Sequence, residues 1–243
     1  MSVVGGPRRS TIPTDRFSMT NTGSAVPFVT NGNVSGMESK SEFSFSFWVK
    51  LSQTEIGVID TLIYSGDNSR SENWNIQHFE DRISEVWSVG LRVNQNVMLQ
   101  VDAPTDNNWH HFAFRVDTTK GTPNIFEAYI DNVLQTNRVI PSAGTTLTAT
   151  YPLYFTANQI SGNNIIMNAT AIFDKTLTTT EISTIYNSGC PTDISSLNPV
   201  IYVNDFDGAT FDGLNWNLDC FGVPNSLLTS INPNAIIEDS PCP

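Results

Sequence analysis

Alternation of apolar and polar residues is clearest over Phe43–Leu51, FSFSFWVKL. The odd-numbered positions of this stretch are all apolar, whereas the even-numbered positions hold Ser44, Ser46, Trp48 and Lys50. Successive side chains of a β-strand point to opposite faces of a sheet. A period of two residues therefore predicts an antiparallel strand that is buried on one face and exposed on the other.

Other short apolar stretches follow along the chain, separated by turn-forming clusters such as GDNS, APTDNN and TTKGTPN. They predict strands at Thr61–Ser65, Trp74–Phe79, Trp87–Val93, His110–Val116, Phe126–Ile130, Leu153–Thr156 and Asn168–Phe173. Within EAYIDNVLQ, Asp131 and Asn132 predict the tip of a hairpin, because both residue types tolerate positive φ. Many short strands separated by turns indicate an all-β sandwich or barrel.

One short helix is predicted at about Thr179–Asn187. Thr178 and Glu181 have the T-x-x-E spacing of a capping box, and apolar residues follow at helical spacing. Gly189 is placed where a glycine ends many helices, because glycine adopts the left-handed conformation without strain.

The segments on either side of the strand-rich region differ from it in composition. Residues 1–27 are rich in Gly, Pro, Ser and Thr and carry Arg8, Arg9 and Arg16, which predicts a basic, extended N-terminal arm. After Lys175 there are eight acidic residues and no Lys or Arg. We therefore expect a sandwich over residues 28–189 and an acidic C-terminal extension over residues 190–243, largely ordered coil with one strand in VIYVNDF. The opposite charges of arm and extension favour pairing, within one chain or between copies.

Charge and cysteine content narrow the classes of function. With 12 Lys and Arg against 24 Asp and Glu, the net charge is −12. Such a surface disfavours nucleic acid, whose binding depends on cationic contacts with phosphate, and anionic membranes. No stretch approaches the roughly 18 apolar residues of a membrane span, and the N-terminus has no apolar signal-peptide core. Without a secretion signal, we expect Cys190, Cys220 and Cys242 to be reduced thiols, and their spacing does not support a zinc site.

Two of the three histidines are adjacent, in NNWHHFAFRVD. On a regular strand His110 and His111 point to opposite faces, so they cannot converge on one metal ion. His110 shares the parity of Phe112, which predicts that Trp109 and His110 pack at the edge of the core, with an imidazole nitrogen bound to a backbone carbonyl. No nucleophile or carboxylate motif accompanies either histidine, so no catalytic residue is assigned.

Acidic clusters suggest two kinds of chemistry. A retaining glycosidase needs two carboxyl groups about 5 to 5.5 Å apart. Glu80 and Glu85 of EDRISE have opposite strand parity, which favours a solvated loop instead. Calcium prefers oxygen ligands, and NDFDGATFDG makes Asp205, Asp207 and Asp212 candidate calcium ligands, although the twelfth-position Glu of an EF-hand is absent. The alternative is ordinary turn chemistry, for which Asp, Asn and Gly are the usual residues.

A glycan-binding surface needs exposed aromatic rings beside hydrogen-bonding groups. Trp74, His78 and Trp87 are the candidate glycan-binding residues, and Trp48 and Tyr129 are further candidates for outward positions. For each ring, burial beneath loops of the sandwich is the alternative.

The order of these elements resembles the laminin-G-like family, which has the concanavalin A-like lectin/glucanase fold. The matching pieces are FSFSFWVKLS, TLIYSGD, VGLRVN, DNNWHHFAFRVD, EAYIDNVLQ and FDKTLTTTEISTIYNSG, over roughly residues 28–189. The resemblance implies a jelly-roll sandwich of two antiparallel sheets, used chiefly as a binding and scaffolding module for glycans or proteins. It implies calcium in some members. The E-x-D-x-x-E pattern of the family's glucanases is absent here.

The C-terminal segment also resembles tails that follow such domains in predicted virion proteins of marine bacteriophages, through SLNPV, WNLD and EDSP. We therefore expect a non-enzymatic structural protein of the virion surface, a capsid decoration protein or a fibre component, assembled in the host cytoplasm. Its expected partners are other virion proteins, copies of itself and host glycans. The alternatives are a stand-alone extracellular glycan-binding adhesin and, with less support, a glycoside hydrolase or lyase.

Overall fold

The structure is a computed structural model. The residues it describes are 17–20, 28–30, 32–33, 36–37, 39–51, 59–66, 73–81, 86–93, 96–119, 125–138, 151–155, 165–203, 210–214, 216–219, 227–230, 236–238 and 241–242.

Strands make up most of the described chain. In order they are β1 (Phe17–Thr20), β2 (Phe28–Thr30), β3 (Glu42–Leu51), β4 (Ile59–Gly66), β5 (Asn73–Asp81), β6 (Val86–Val93), β7 (Asn96–Asp102), β8 (Trp109–Asp117), β9 (Ile125–Ile130), β10 (Val133–Leu134), β11 (Leu153–Phe155), β12 (Ile165–Phe173), β13 (Ile201–Val203), β14 (Thr210–Phe211), β15 (Trp216–Asp219), β16 (Leu227–Ser230) and β17 (Ile236–Glu238). Helix α1 covers Thr179–Tyr186, and single 3-10 turns cover Asn187–Gly189 and Ser195–Leu197.

The strands form two antiparallel sheets. Within the described residues, the eight-stranded sheet has the order β10-β9-β8-β3-β12-β1-β17, with β13 also paired to β12. The nine-stranded sheet has the order β14-β15-β16-β2-β11-β4-β5-β6-β7. The predicted two-sheet sandwich with one short helix is therefore confirmed.

The main core lies between the sheets and is rich in aromatic rings. Phe43, Phe45 and Phe47 of β3 are fully buried, as are Phe112 and Phe114 of β8. The rings of Phe47 and Phe112 stack with their centroids 5.5 Å apart. The odd-numbered face of β3 therefore faces the core, as its alternation predicted.

The other face of β3 is also buried, and this corrects the expectation of a half-exposed strand. A second, smaller apolar cluster covers that face of the sheet, and it includes Phe173, Leu177, Ile182 and Tyr202. Ser44 is fully buried there. Its Oγ donates to the carbonyl of Lys175 at 2.9 Å and accepts the N–H of Leu177 at 2.9 Å, which fixes the approach to α1.

The start of α1 is as predicted, and its end is not. The Thr178 side chain accepts the N–H of Glu181, and the Glu181 carboxylate accepts the N–H of Thr178, which completes the capping box. At the other end, Asn187 with φ 43° is the left-handed cap. Gly189 lies two residues further on, in the 3-10 turn. Asn provides this cap because it is one of the few residues that tolerate the left-handed region.

Both flanking segments contribute strands to the sheets. Within the predicted arm, β1 pairs with β12 and with β17. Within the predicted extension, β13 to β17 join the two sheets. Strand β13 is the strand expected in VIYVNDF, whereas β14 to β17 lie where coil was expected. Strand β7 was also not predicted. The boundaries of arm, sandwich and extension remain predictions, and Arg8, Arg9 and Arg16 lie outside the described residues.

A disulfide ties the end of the chain to the end of α1. Cys190 and Cys242 are bonded, with their Cα atoms 4.8 Å apart. The expectation of reduced thiols was therefore wrong for this pair. Cys220 lies outside the described residues.

Candidate functional site

The adjacent histidines of β8 point to opposite faces of the sheet, as strand geometry predicted. His110 is partly exposed, whereas His111 is fully buried. His110 Nδ1 lies 2.6 Å from Asp131 Oδ2, and His110 Nε2 lies 2.9 Å from Asp106 Oδ1. The expected partner was a backbone carbonyl, and the structure corrects this to two carboxylates. One is at the hairpin tip, and the other is in the turn before β8.

Hydrogen bonds between His110 and the two carboxylates favour the charged form of each of the three groups. The hydrogen bond to Asp131 raises the pKa of His110, although partial burial opposes the shift. The hydrogen bond from His110 lowers the pKa of Asp106 to about 2. Burial alone would raise the pKa of Asp131, but hydrogen bonds from the His110 ring and the His111 N–H lower it. A protonated imidazole donates from both ring nitrogens, so His110 acts as a positively charged clamp between two loops.

His111 has the opposite character, because burial lowers its pKa to about 4. Its Nε2 lies 2.9 Å from Ser46 Oγ, and its ring lies beside those of Trp48 and Tyr186, at centroid distances of 5.3 and 6.0 Å. A Ser–His pair at this distance resembles a nucleophile and its base. Both side chains are fully buried beneath α1, however, so this pair is part of the packing.

The structure gives no support to calcium where it can be judged. Among the described residues, no three His, Cys, Asp or Glu side chains are grouped so that they could hold a metal ion. Asp212 is exposed, and its Oδ1 accepts the N–H of Leu214 at 2.8 Å, as in an ordinary Asx turn. Asp205 and Asp207 lie outside the described residues.

Two of the candidate glycan-binding residues are buried in the sandwich. Trp74 is 1% exposed and belongs to the main core, and His78 is fully buried. Trp87 is partly exposed, but its ring stacks on His78 at 4.6 Å and packs against the core. His78 Nδ1 lies 3.5 Å from Asp60 Oδ2, and Asp60 is also fully buried. These three rings point inward, so they do not form an outer contact surface in this structure.

The other proposed outward rings are likewise covered. Trp48 is 2% exposed, and Tyr129 is 5% exposed. The Tyr129 hydroxyl donates to Glu127 at 2.9 Å, and the Arg115 guanidinium lies 5.4 Å from the ring centroid. The outer face of the eight-stranded sheet is therefore closed where these residues lie.

The outer face of the nine-stranded sheet is different, because polar and aromatic side chains remain partly exposed on it. Pairing between neighbouring strands places four of them in one line across β11, β4, β5 and β6, namely Tyr154, Tyr64, Asn75 and Arg92. We call this line the tyrosine–arginine row. Each member is partly exposed. With strands about 4.8 Å apart, the row spans about 14 Å.

The chain neighbours of the row face the core and fix its direction. Ile63 and Ser65 flank Tyr64, and Leu91 and Val93 flank Arg92; all four flanking residues are fully buried. Since alternate residues of a strand point to opposite faces, the row must point outward. The tyrosine rings lie with their centroids 5.8 Å apart.

Two atoms of the row have no hydrogen-bond partner in the structure although they are covered. They are Asn75 Oδ1 and Arg92 Nε, on residues that are directly paired across β5 and β6. Leaving a buried donor or acceptor unpaired costs about 1–3 kcal/mol, and such groups are uncommon in native proteins. An acceptor and a donor without partners therefore belong to residues that are directly paired in the row.

A pattern in the sequence indicates this row, although the candidate residues predicted above do not include it. Each member is the middle residue of a triplet whose outer residues face the core, namely LYF, IYS, WNI and LRV. The glycan-binding candidates predicted from the sequence, Trp74, His78 and Trp87, lie at the alternate positions of the same strands, which face the core. In a sandwich the large rings fill the core, and the contact surface is formed by the residues between them.

An open depression lies beside α1. It is lined by Thr179, Thr180, Ser183, Thr184, Asn187 and Ser188. Most of these residues are on the solvent side of the helix, and none is buried. The depression therefore lacks the convergent polar groups of a preformed site.

The comparisons with known proteins agree with this architecture. Residues 21–183, more than half of the chain, match the concanavalin A-like lectin/glucanases superfamily. The chain therefore belongs to that family, and its domain is a lectin-like jelly roll. No match was found among curated proteins.

Solved structures with a similar fold include a heptameric SAP-like pentraxin from Limulus polyphemus, at 10% identity and a TM-score of 0.54, covering 91% of this chain and 97% of the pentraxin. The binding domain of botulinum neurotoxin DC, in complex with rat synaptotagmin II, is similar at 19% identity and a TM-score of 0.49. A botulinum neurotoxin type C structure concerned with two ganglioside molecules is similar at 20% identity and a TM-score of 0.48. Each of these two matches covers 61% of this chain and 36% of the toxin chain, so this chain spans little more than a third of their length.

No helix among the described residues is long and apolar enough to cross a membrane.

Proposed function

We propose that this protein is a non-enzymatic binding and scaffolding module on the outer surface of a virion. In this role its nine-stranded sheet faces outward and its terminal segments attach it to neighbouring proteins. The supporting observation is the difference between the two sheets. One has an outer face covered by α1 and the second apolar cluster, and the other has the partly exposed tyrosine–arginine row.

The arrangement of the terminal strands supports an attachment role. Strands β1 and β17 pair with each other along one edge of the eight-stranded sheet, with Phe17 opposite Glu238. Phe17, the residue that follows the basic stretch in the sequence, therefore lies opposite an acidic residue of β17. Arg8, Arg9 and Arg16 are accordingly proposed to bind acidic surfaces of neighbouring virion proteins or of further copies of this chain.

The absence of an enzymatic role is part of the proposal, and the histidine geometry supports it. Both ring nitrogens of His110 are bound to carboxylates, so the ring has no free nitrogen to act as a base. The Ser46–His111 pair is closed to substrate. Asp106 and Asp131, the two carboxylates that approach His110, are both bound to its ring nitrogens.

Mass spectrometry and immunogold electron microscopy of purified particles test the virion assignment. We expect the protein in stoichiometric amount, with antibody bound at the outer surface of intact particles. A protein that is absent from particles and secreted alone would contradict the proposal.

The attachment role is tested by reversing the charge of the arm. A triple variant Arg8→Glu, Arg9→Glu, Arg16→Glu is expected to be lost from particles while its melting temperature stays unchanged. The matched control replaces the same three residues by lysine, which keeps the charge, and it should be incorporated normally. Equal incorporation of both variants would show that the positive charge of the arm is not needed for attachment.

A stand-alone extracellular glycan-binding adhesin is the second candidate. The Cys190–Cys242 disulfide fits it as well as it fits the virion role, because disulfides persist in oxidising environments such as the extracellular space and virion surfaces. It predicts secretion from cells without particle formation. Fractionation of the culture medium after particles have been removed distinguishes the two candidates.

A further inference from the structure

We propose that the tyrosine–arginine row binds a carboxylated saccharide, with Arg92 taking the carboxylate and Asn75 and the two tyrosines taking the sugar ring. This inference rests on the proposed role of the nine-stranded sheet as the displayed binding surface, and it adds the class of ligand.

The first step concerns the platform for the sugar ring. Tyr64 and Tyr154 are adjacent across β4 and β11, are partly exposed, and lie tilted at 42° to each other. A tyrosine offers an apolar ring surface together with a hydroxyl at its tip. Two such rings side by side can pack on the C–H faces of a sugar and also contact its hydroxyl groups.

The second step concerns charge. The Arg92 side chain has no hydrogen bond or ion pair to any described residue, and its Nε is covered and unpaired. By contrast, Arg138 on the same sheet face is bound to Asp102 at 3.0 Å and to Ser88 at 3.2 Å. A guanidinium presents a fork of N–H donors that matches a carboxylate, which makes a carboxylate its best partner.

The third step concerns the acceptor beside it. Asn75 Oδ1 is unpaired and lies directly across from Arg92, so the row offers an acceptor next to a cationic donor. A simple anion without a hydroxyl group, such as sulfate, would use the donor only. A sugar acid carries a carboxylate and neighbouring hydroxyl groups, so one molecule can occupy both. Because both residues are partly exposed, a ligand first meets their exposed atoms, and side-chain rotation, which takes picoseconds to nanoseconds at surfaces, brings the covered atoms to it.

The fourth step concerns the neighbouring line of the sheet. Thr61, Gln77, Gly90 and Gln100 are paired in order across β4, β5, β6 and β7. Among the described residues of this line and of the tyrosine–arginine row, Arg92 carries the only formal charge. No carboxylate there competes for the guanidinium, although the whole chain carries a net charge of −12. Exposed charges further away than a Debye length, about 8 Å at physiological salt, are largely screened.

Titration calorimetry with matched probes tests the inference on the full chain. The probes are an oligogalacturonide and its methyl ester, and 3′-sialyllactose and lactose. We expect binding of at least one carboxylated probe, with its neutral counterpart at least about tenfold weaker, as the loss of a charge-assisted hydrogen bond implies. The two pairs separate a uronic acid from a sialic acid as the source of the carboxylate. Equal binding of acid and neutral counterpart, or no binding of either carboxylated probe, overturns the inference.

Variants locate the site. Arg92→Gln is expected to weaken binding of the carboxylated probe at least about tenfold and to abolish the preference over its neutral counterpart. Arg138→Gln removes the same charge from the same sheet face and should leave affinity within about twofold, because Arg138 is already paired. Unchanged affinity in Arg92→Gln overturns the assignment. Melting temperatures identify a misfolded variant. If Arg92→Gln is misfolded, the comparison of carboxylated and neutral probes on the wild-type protein alone decides whether the inference holds.

The outcome is independent of the virion assignment. If the purified protein prefers the carboxylated probe but is absent from particles, the binding site is supported and the virion role is contradicted. If the protein is found on particles but binds no carboxylated probe, the virion role is supported and the proposed ligand class is contradicted.

Discussion

His110 Nδ1 and Asp131 Oδ2 lie 2.6 Å apart and join strand β8 to the tip of the β9–β10 hairpin. The tip itself consists of Asp131 and Asn132, with φ of 50° and 66°. Asp131 therefore has two roles, because its backbone makes the left-handed turn and its carboxylate holds the imidazole. Its Oδ1 also accepts the N–H of His111 at 2.9 Å.

We expect this clamp to stabilise the fold most strongly between about pH 4 and pH 6.5. The pKa of His110 is raised, so its contribution is complete below the ordinary pKa of histidine and is lost as the pH rises through the raised value. The pKa of Asp131 is lowered, so its contribution is complete above the ordinary pKa of aspartate and is lost on acidification. His110→Gln should reduce the free energy of unfolding near pH 5 by about 1–2 kcal/mol.

Denaturant unfolding of both proteins across this pH range provides the measurement. The difference between wild type and His110→Gln should shrink as the pH rises through the raised pKa of His110. Asp131→Asn keeps a residue type that tolerates positive φ and should cost more than Asp106→Asn, because the Asp106 side chain is 51% exposed. An effect of His110→Gln that does not change with pH would show that the charges contribute nothing.

The neighbouring histidine should respond to pH in the opposite direction. Burial lowers the pKa of His111 to about 4, whereas in the unfolded chain it titrates near the ordinary value of 6.5. The unfolded state therefore takes up a proton first, and between pH 6.5 and 4 the fold should lose stability on the order of 3 kcal/mol from this residue.

Nuclear magnetic resonance of the ring protons separates the two histidines directly. His110 should titrate above the ordinary histidine pKa, and His111 should remain neutral down to near pH 4. Titration of His111 near pH 6.5 in the folded protein would mean that the cover formed by Trp48 and Tyr186 admits water.

Ser44 is expected to be more important for stability than its size suggests. Its Oγ joins the carbonyl of Lys175 to the N–H of Leu177 in a buried position. Ser44→Ala leaves both backbone groups without that partner and should reduce the free energy of unfolding by about 1–3 kcal/mol. The control is Thr184→Ala, because the exposed Thr184 hydroxyl donates only to the Thr180 carbonyl of its own helix. That change should stay within about 0.5 kcal/mol in thermal or denaturant unfolding.

The disulfide should contribute strongly to stability. It closes a loop of 52 residues, for which the chain-entropy treatment gives about 4 kcal/mol. Cys190→Ser combined with Cys242→Ser should therefore lower the melting temperature markedly, as should a reducing agent added to the wild type. The reducing agent should have no further effect on the double variant if this bond alone is responsible.

Much of the sandwich could be predicted from sequence because its strands follow simple alternation. Residues Phe43–Leu51 and the aromatic run after Trp109 fix two central strands, and the same alternation separates His110 from His111. What alternation cannot reveal is whether the polar-facing side of a strand is covered by another element. Ser44, Ser46 and His111 are buried because the second apolar cluster covers that face of the sheet, and this contact joins residues far apart in the chain.

The terminal strands escaped prediction for a different reason. Strands such as Thr210–Phe211 and Ile236–Glu238 contain only two or three residues, which is too short to establish a period. They are strands because they pair with β15 and β1, and the sequence of a short segment does not reveal its partner. The disulfide is similar, since the spacing of Cys190 and Cys242 does not indicate that their Cα atoms come within 4.8 Å.

The Cys190–Cys242 bond also determines how the domain carries mechanical load. A pull applied beyond Cys242 passes through the sulfur bridge directly to Cys190, at the end of the helical segment. The 51 residues between the two cysteines, β13 to β17 among them, are then bypassed and experience no tension. With the bridge reduced, the same pull reaches β17 first and peels it from β1 one hydrogen bond at a time, starting where Glu238 faces Phe17. The disulfide therefore shields the residues between Cys190 and Cys242 from the applied force. After reduction, the same force would unfold and extend these residues.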